Sequence, residues 1–196
     1  MLVLNKNDFS KLSVMDKDCP SKLYIEGNVN LLKKDSIGII GSRKPTKETS
    51  NFIKRIIPQE FKNKVIVSGL ALGSDRIAHE TAIKNDIPTI AILPSGINNV
   101  YPRKHRHIAN KIIEKGGAII SEYEPNDKFS KNKFIERDRI IAGLSDKLLV
   151  TQCAKFSGTM HTVNFGIKYN KKLLVHNNKS PGNQMIIKKH NPKIII

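Results

Sequence analysis

The sequence predicts an α/β fold, an extended Rossmann-like, doubly wound and mostly parallel sheet in a single domain. Three observations carry that prediction. Six short apolar runs are continuous rather than alternating, helix-length stretches separate consecutive runs, and small residues follow the runs at the junctions. The runs are 36–40 (SIGII), 65–68 (VIVS), 89–93 (TIAIL), 118–121 (AIIS), 147–151 (KLLVT) and 172–176 (KLLVH). Uninterrupted apolar residues suit strands covered on both faces, as in a parallel sheet flanked by helices. Between them, 47–61, 74–85, 105–115, 132–142 and 158–169 are long enough for helices. Pro58 lacks an N–H and is expected to kink or end the first of these. Residues 1–19 read as a short N-terminal arm and 20–196 as the domain, with 177–182 (NNKSPG) a turn before a last helix and an apolar end at 194–196.

The composition is that of a globular chain: 196 residues, 39% hydrophobic and 26% charged, with a mean hydropathy of -0.34. No stretch approaches the ~18 apolar residues that span a bilayer, and Asn5, Lys6 and Asp8 interrupt the N-terminus too early for a signal-peptide core. A cytoplasmic protein with no membrane partner is the expectation. Cys19 and Cys153 lie far apart without metal-type spacing, so both read as small buried hydrophobes, and no metal or cofactor is expected. The net charge of +17, with a pI near 9.9, calls for a polyanionic partner. The alternative, a coding bias toward lysine, would raise the charge everywhere, yet residues 1–18 balance while Lys168 onward holds seven lysines and no acid.

Several constellations follow the runs. Gly41-Ser42-Arg43 is a glycine turn before a helix, where backbone donors and a forked guanidinium suit a phosphate. It is neither a dinucleotide fingerprint nor a Walker A loop. Ser68, Gly69 and Gly73 surround a turn into a helix holding Asp75 and His79, four residues apart; capping by Ser74 or Asp75 outweighs an orienter–base pair, because no nucleophile adjoins them. In KFSKNKFIERDRIIAGLSD, Lys128, Lys131, Lys133, Arg137 and Arg139 surround Phe134. Cations that neutralise phosphates beside a ring that stacks on a base suit single strands. Ser157-Gly158-Thr159 opens another helix, and the run from Tyr101 to His107 reads as a basic rim without metal-binding geometry.

Together these segments resemble the DNA-processing protein A family (DprA, also called Smf). The resemblance is carried by Gly41-Ser42-Arg43, by Ser68-Gly69-Leu70-Ala71 with Gly73, Asp75, Ala78 and His79, and by Gly96 with Val100-Tyr101-Pro102. It continues in Ile120-Ser121-Glu122-Tyr123, in Arg137 with Arg139 to Asp146, and in Ser157-Gly158, covering residues 20–187. It implies a Rossmann-like domain that forms a homodimer, binds single-stranded DNA in a basic pocket and hands it to the recombinase RecA, without enzymatic activity. It further implies that Arg43 clasps a phosphate, Lys131 supplies a second charge and Phe134 stacks on a base. Arg137 and Arg139 would line the same groove, with Gly41, Ser42, Ser68, Gly69, Ser157 and Gly158 as its backbone floor. Leu72, Ser74 and Asp138 depart from the family pattern, and Asp138 sets a carboxylate beside the phosphate path. The helical domain that many members carry ahead of this fold and the winged helix that many carry after it are expected to be missing.

The rival expectation is a nucleotide-processing protein resembling the lysine-decarboxylase-like phosphoribohydrolases. Their motif ends in a glutamate that works beside a ribose, whereas Gly158-Thr159-Met160-His161 leads to Thr162. A structural protein with incidental charge leaves the small-residue turns at one sheet edge unexplained.

Overall fold

A computed structural model describes residues 1–8 and 10–196. The chain runs β1 (Leu2–Asn5), β2 (Lys22–Gly27), β3 (Ser36–Ile40), α1 (Lys47–Glu60), β4 (Val65–Ser68), α2 (Ser74–Lys84), β5 (Thr89–Ile92) and α3 (Arg106–Glu114). It continues through β6 (Ala118–Ser121), α4 (Lys131–Leu144), β7 (Lys147–Val150), α5 (Thr159–Lys168), β8 (Lys172–His176), α6 (Pro181–His190) and β9 (Lys193–Ile195). All six runs are strands, and a helix lies in each expected interval. Pro58 sits in the last turn of α1, where the helix runs on only to Glu60.

The strands form one sheet in the order β1-β2-β6-β5-β4-β3-β7-β8-β9. From β6 to β9 all neighbours are parallel, and β2 joins β6 antiparallel. The chain builds outward from β3 through β4 and β5 to β6, then returns to place β7 on the other side of β3. That reversal opens a crevice outside the carboxyl ends of β3 and β7, the place where open α/β sheets take ligands.

Period-two strand geometry sends consecutive residues to opposite faces, so both faces carry a core. Ile40, Val67, Ile92 and Val150 pack with Ile140, Ile141, Val163 and Ile186 of α4, α5 and α6. Ile37, Ile39, Ile66 and Leu149 pack with Phe52, Ile53, Ile57 and Ala78 of α1 and α2.

Two pieces of the N-terminal segment, Leu2–Asn5 and Ser10–Asp18, pack onto this body. β1 pairs antiparallel with β2, and the 3-10 segment after it buries Leu12 and Met15 fully against α4. A Cβ on Gly143 would meet Met15 Sδ, so glycine there lets the segment close on the helix. Cys153 is buried as expected, whereas Cys19 is only partly covered.

Candidate nucleic-acid interface

At the switch point three loops meet. Ser42 N donates to Gln152 O at 2.7 Å, beyond β7, and Ser74 N donates to Ser42 O at 3.0 Å. The amide of Ser42 is therefore spent in joining loops. Gly41 is glycine because a Cβ would strike Thr151 Oγ1 and Ser74 Oγ, which bond each other at 3.0 Å. Gly73, at φ +75, brings Ser74 close to the Ser42 carbonyl. Packing, rather than room for a ligand, accounts for these two glycines.

Arg43 leaves this knot exposed, with its guanidinium carbon 5.0 Å from the ring centroid of Phe134 on α4. Lys131, also exposed, stands one helical turn ahead of Phe134 on the same face. Arg43, Lys131 and Phe134 thus share one surface. Two residues that the sequence did not single out for this role join them: Tyr101 lies 5.7 Å and Phe129 6.2 Å from Phe134, centroid to centroid, and 3.7 Å from each other. In sequence, Tyr101 headed the basic run and Phe129 merely preceded KNK.

Beside this aromatic group lies a cavity of about 410 Å³, lined by Arg43, Phe134, Asp138, Ser157 and Gly158 among others. The N-terminus of α5 opens into it with no capping side chain, and a Cβ on Gly158 would meet nothing within 4 Å. An anion here would face the positive end of the helix. Ser157 lines the same wall, its hydroxyl donating to Ala154 O.

Three expected lining residues, Arg139, Ser68 and Gly69, stand elsewhere, and Arg137 reaches the cavity only from beneath. Arg137 is 3% exposed, and its Nη1 donates to Gly69 O at 2.5 Å and Ile92 O at 2.6 Å. It forms the underside of the cavity rather than a free phosphate clamp. Arg139, two residues on, is rotated ~200° around the helix; it forks onto Glu122, with Nη2 2.6 Å from Oε2, and is absent from the cavity wall. Ser68 and Gly69 lie beneath the floor. Ser68 Oγ donates to Ile39 O, Gly69 N donates to Asp75 Oδ2, and a Cβ at Gly69 would collide with the Arg137 guanidinium.

The Asp75–His79 pair does not form. Asp75 accepts from Gly69 N and Ala71 N, whereas His79 Nδ1 meets Thr89 Oγ1 at 2.8 Å. Burial and the nearby Arg137 push the His79 imidazole down to about 3, so it stays neutral. In the basic run, His105 is buried on Leu70 O, while Arg103, Lys104, Arg106 and His107 remain exposed.

Under the cavity, Arg137 is balanced by Asp75 and Asp138, with Arg137 Nε 3.1 Å from Asp138 Oδ1. Burial raises the Asp138 carboxyl from 3.8 to about 6 despite the guanidinium, and the charge of Asp75 adds to the rise. Protonation therefore removes a negative charge from the cavity wall, so affinity for a polyanion is expected to increase as the pH falls through about 6. Asp138→Asn is expected to bind nearly as tightly at neutral pH as wild type does below that value, and to flatten the profile in a titration across it. Because the folded-state value is raised, the cost of burying the charge grows between the two values as pH rises. Asp138→Asn should accordingly gain thermal stability at neutral pH and little near pH 4.

The sequence pattern of the DNA recombination-mediator protein A family matches residues 1–195. Protein Smf of Borreliella burgdorferi is 36% identical over 151 residues, covering 76% of this chain and 48% of that protein. The chain thus spans about half the length of that relative. The crystal structure of DNA processing protein A from Streptococcus pneumoniae superposes with a TM-score of 0.92 at 28% identity, covering 99% of this chain and 70% of that one. A Helicobacter pylori DNA processing protein A, whose structure describes a single-stranded DNA binding mode, superposes at 0.85 with 31% identity, covering 95% and 87%. Among the described residues no helix is long and apolar enough to cross a membrane.

Proposed function

The chain belongs to the DNA recombination-mediator protein A family, and from that premise we propose that its switch-point cavity and aromatic shelf bind single-stranded DNA for recombination. One observation carries the proposal: Arg43 lies over Phe134 with Lys131 one turn away, so two exposed cations flank one ring beside a cavity. Arg43 and Lys131 neutralise successive phosphates. Phe134 offers its ring to an unpaired base, and the uncapped start of α5 at Gly158 receives a further phosphate oxygen. A duplex keeps its base faces stacked inside, so only a single strand uses the ring. Gly41, Ser42 and Arg137 line the cavity while tying its loops together, Ser68 and Gly69 hold those loops from behind, and Arg139 braces the far side of α4 against Glu122. The proposal extends to action as a homodimer and to delivery of the strand to RecA, both implied by the family resemblance.

Titration of the protein with a single strand, its duplex and free mononucleotides at two ionic strengths tests this reading. The single strand is expected to bind most tightly and to weaken steeply with salt. Preference for a mononucleotide, with little salt dependence, would support nucleotide processing instead. Phe134→Ala is expected to cost about 1 to 3 kcal/mol of single-strand affinity while leaving the salt slope unchanged, because stacking releases no counterions. A thermal melt run alongside separates this from lost packing.

A further inference from the structure

The basic run ahead of α3 faces a second depression. It is an open groove of about 590 Å³ between that run and the start of α2, lined by Arg43, Leu72, Arg76, Lys104 and His107 among others. Arg43 also lines the switch-point cavity, so the two depressions meet at its side chain. The floor is fixed. His105, buried in it, has Nδ1 2.8 Å from Leu70 O, which ties the run to the turn after β4, and a Cβ on Gly73 would strike the Arg43 backbone. Arg76, Lys104 and His107 stand exposed above this floor. Arg76 meets Glu80 only at 3.7 Å, with both side chains about half exposed, and Lys104 and His107 join no ion pair among the described residues. Arg106 turns away to Asn98 O and does not line the groove, and no Phe or Tyr lines it either.

We propose that this groove is a second single-strand subsite, in which Arg76, Lys104 and His107 hold the phosphates of the strand after it crosses Arg43 from the switch-point cavity. The occupant follows from continuity and charge. A strand held by Arg43 at one depression already lies at the mouth of the other, and the cations beyond are free to meet its phosphates. The long, exposed pairing with Glu80 is weak enough for the Arg76 guanidinium to turn to a phosphate instead. The two subsites differ in what they grip. Phe134 offers the first a ring for a base, whereas the second holds the sugar-phosphate chain alone and is indifferent to sequence. The subsite rests on the assignment of the first cavity to single-stranded DNA and lengthens the contact made there.

The test compares an oligothymidylate of about 5 nucleotides with the same strand extended, at one end or the other, by about 10 abasic sugar-phosphate units or by as many thymidylates, lengths chosen to fill the cavity alone or both subsites. Binding is measured by fluorescence anisotropy at several salt concentrations. For wild type, extension at one of the two ends is expected to strengthen binding about tenfold, with or without bases on the added units. Arg76→Ala/Lys104→Ala is expected to abolish that gain and to take about 1.4 from the salt slope of the extended strand, while the short strand binds as it does to wild type. Arg76→Lys/Lys104→Arg keeps both charges and should keep the gain. A thermal melt matching wild type verifies the fold of each variant. Equal losses for short and extended strands, a gain that survives in the alanine variant, or a gain that requires bases on the extension would overturn the subsite. If the short strand depends on Arg43 and Lys131 yet no extension strengthens binding, the subsite alone fails. If wild type binds neither length, the parent reading fails and takes the subsite with it.

Discussion

Replacing Arg43 and Lys131 together with alanine is expected to lower single-strand affinity by about 100- to 10,000-fold, a loss of about 3 to 6 kcal/mol, since each charge-assisted phosphate contact contributes about 1.5 to 3 kcal/mol. Two phosphate contacts disappear, so the slope of log affinity against log salt should shrink by about 1.4, or ~0.7 for each single-strand contact. Both side chains are exposed, and neither joins an ion pair among the described residues. The melting temperature should therefore stay near wild type. Anisotropy titrations of the double variant, paired with a thermal melt, check both halves. An affinity and slope equal to wild type would remove these residues from the interface.

Arg137→Ala is expected to do the opposite, acting on stability before binding. The guanidinium holds Gly69 O and Ile92 O, joining the turn after β4 to the end of β5, and it is the nearest positive charge to two buried carboxylates. Removing it leaves Asp75 and Asp138 facing each other across an emptied space. Breaking a buried ionic group by removing one partner costs about 3 to 5 kcal/mol. For a domain of this size that corresponds to a drop in melting temperature of roughly 10 °C. The loss should be greatest at neutral pH and smaller in acid, where the carboxylates take up protons. Arg139→Ala provides the contrast: its fork onto Glu122 is mostly covered, at 18% and 13% of the side chains, but it joins no strand ends and faces one carboxylate rather than two, so the cost should be smaller, about 1 to 2 kcal/mol. Chemical denaturation of both variants at two pH values decides between a buried strut and a surface cation. Equal, small effects would contradict the assignment of Arg137 to the interior.

The contrast between these two arginines indicates what a sequence carries and what it leaves out. Continuous apolar runs such as 36–40 and 147–151 report burial on two faces, and burial is what places a strand inside a parallel sheet. β1 gives no such signal, because Leu2 and Val3 are exposed on an edge strand. Its neighbour, the segment around Leu12 and Met15, is buried by a contact with α4 that only the tertiary fold creates. At the proposed site, the exposure of Arg43 and Lys131 is what their charge and neighbours in sequence suggest. Arg137 carries the same charge in the same cluster, but the carbonyls it holds come from the ends of β4 and β5, far away in sequence. Gly69 and Gly41 illustrate the same limit: a glycine after a strand reads as room for a ligand, yet here that room holds a guanidinium and a pair of hydroxyls. Tyr101 and Phe129 reach Phe134 from two separate loops, a convergence that no spacing rule predicts.

The central claim is that an unpaired strand lies across Phe134, between Arg43 and Lys131. Photo-crosslinking a bromouracil-substituted single strand, followed by mapping of the attached peptides, addresses it most directly. The account predicts adducts on Phe134 or on its ring neighbours Tyr101 and Phe129, which disappear when unlabelled single strand competes and persist when duplex does. Adducts confined to the opposite rim of the sheet, around β1 and β2, would contradict it.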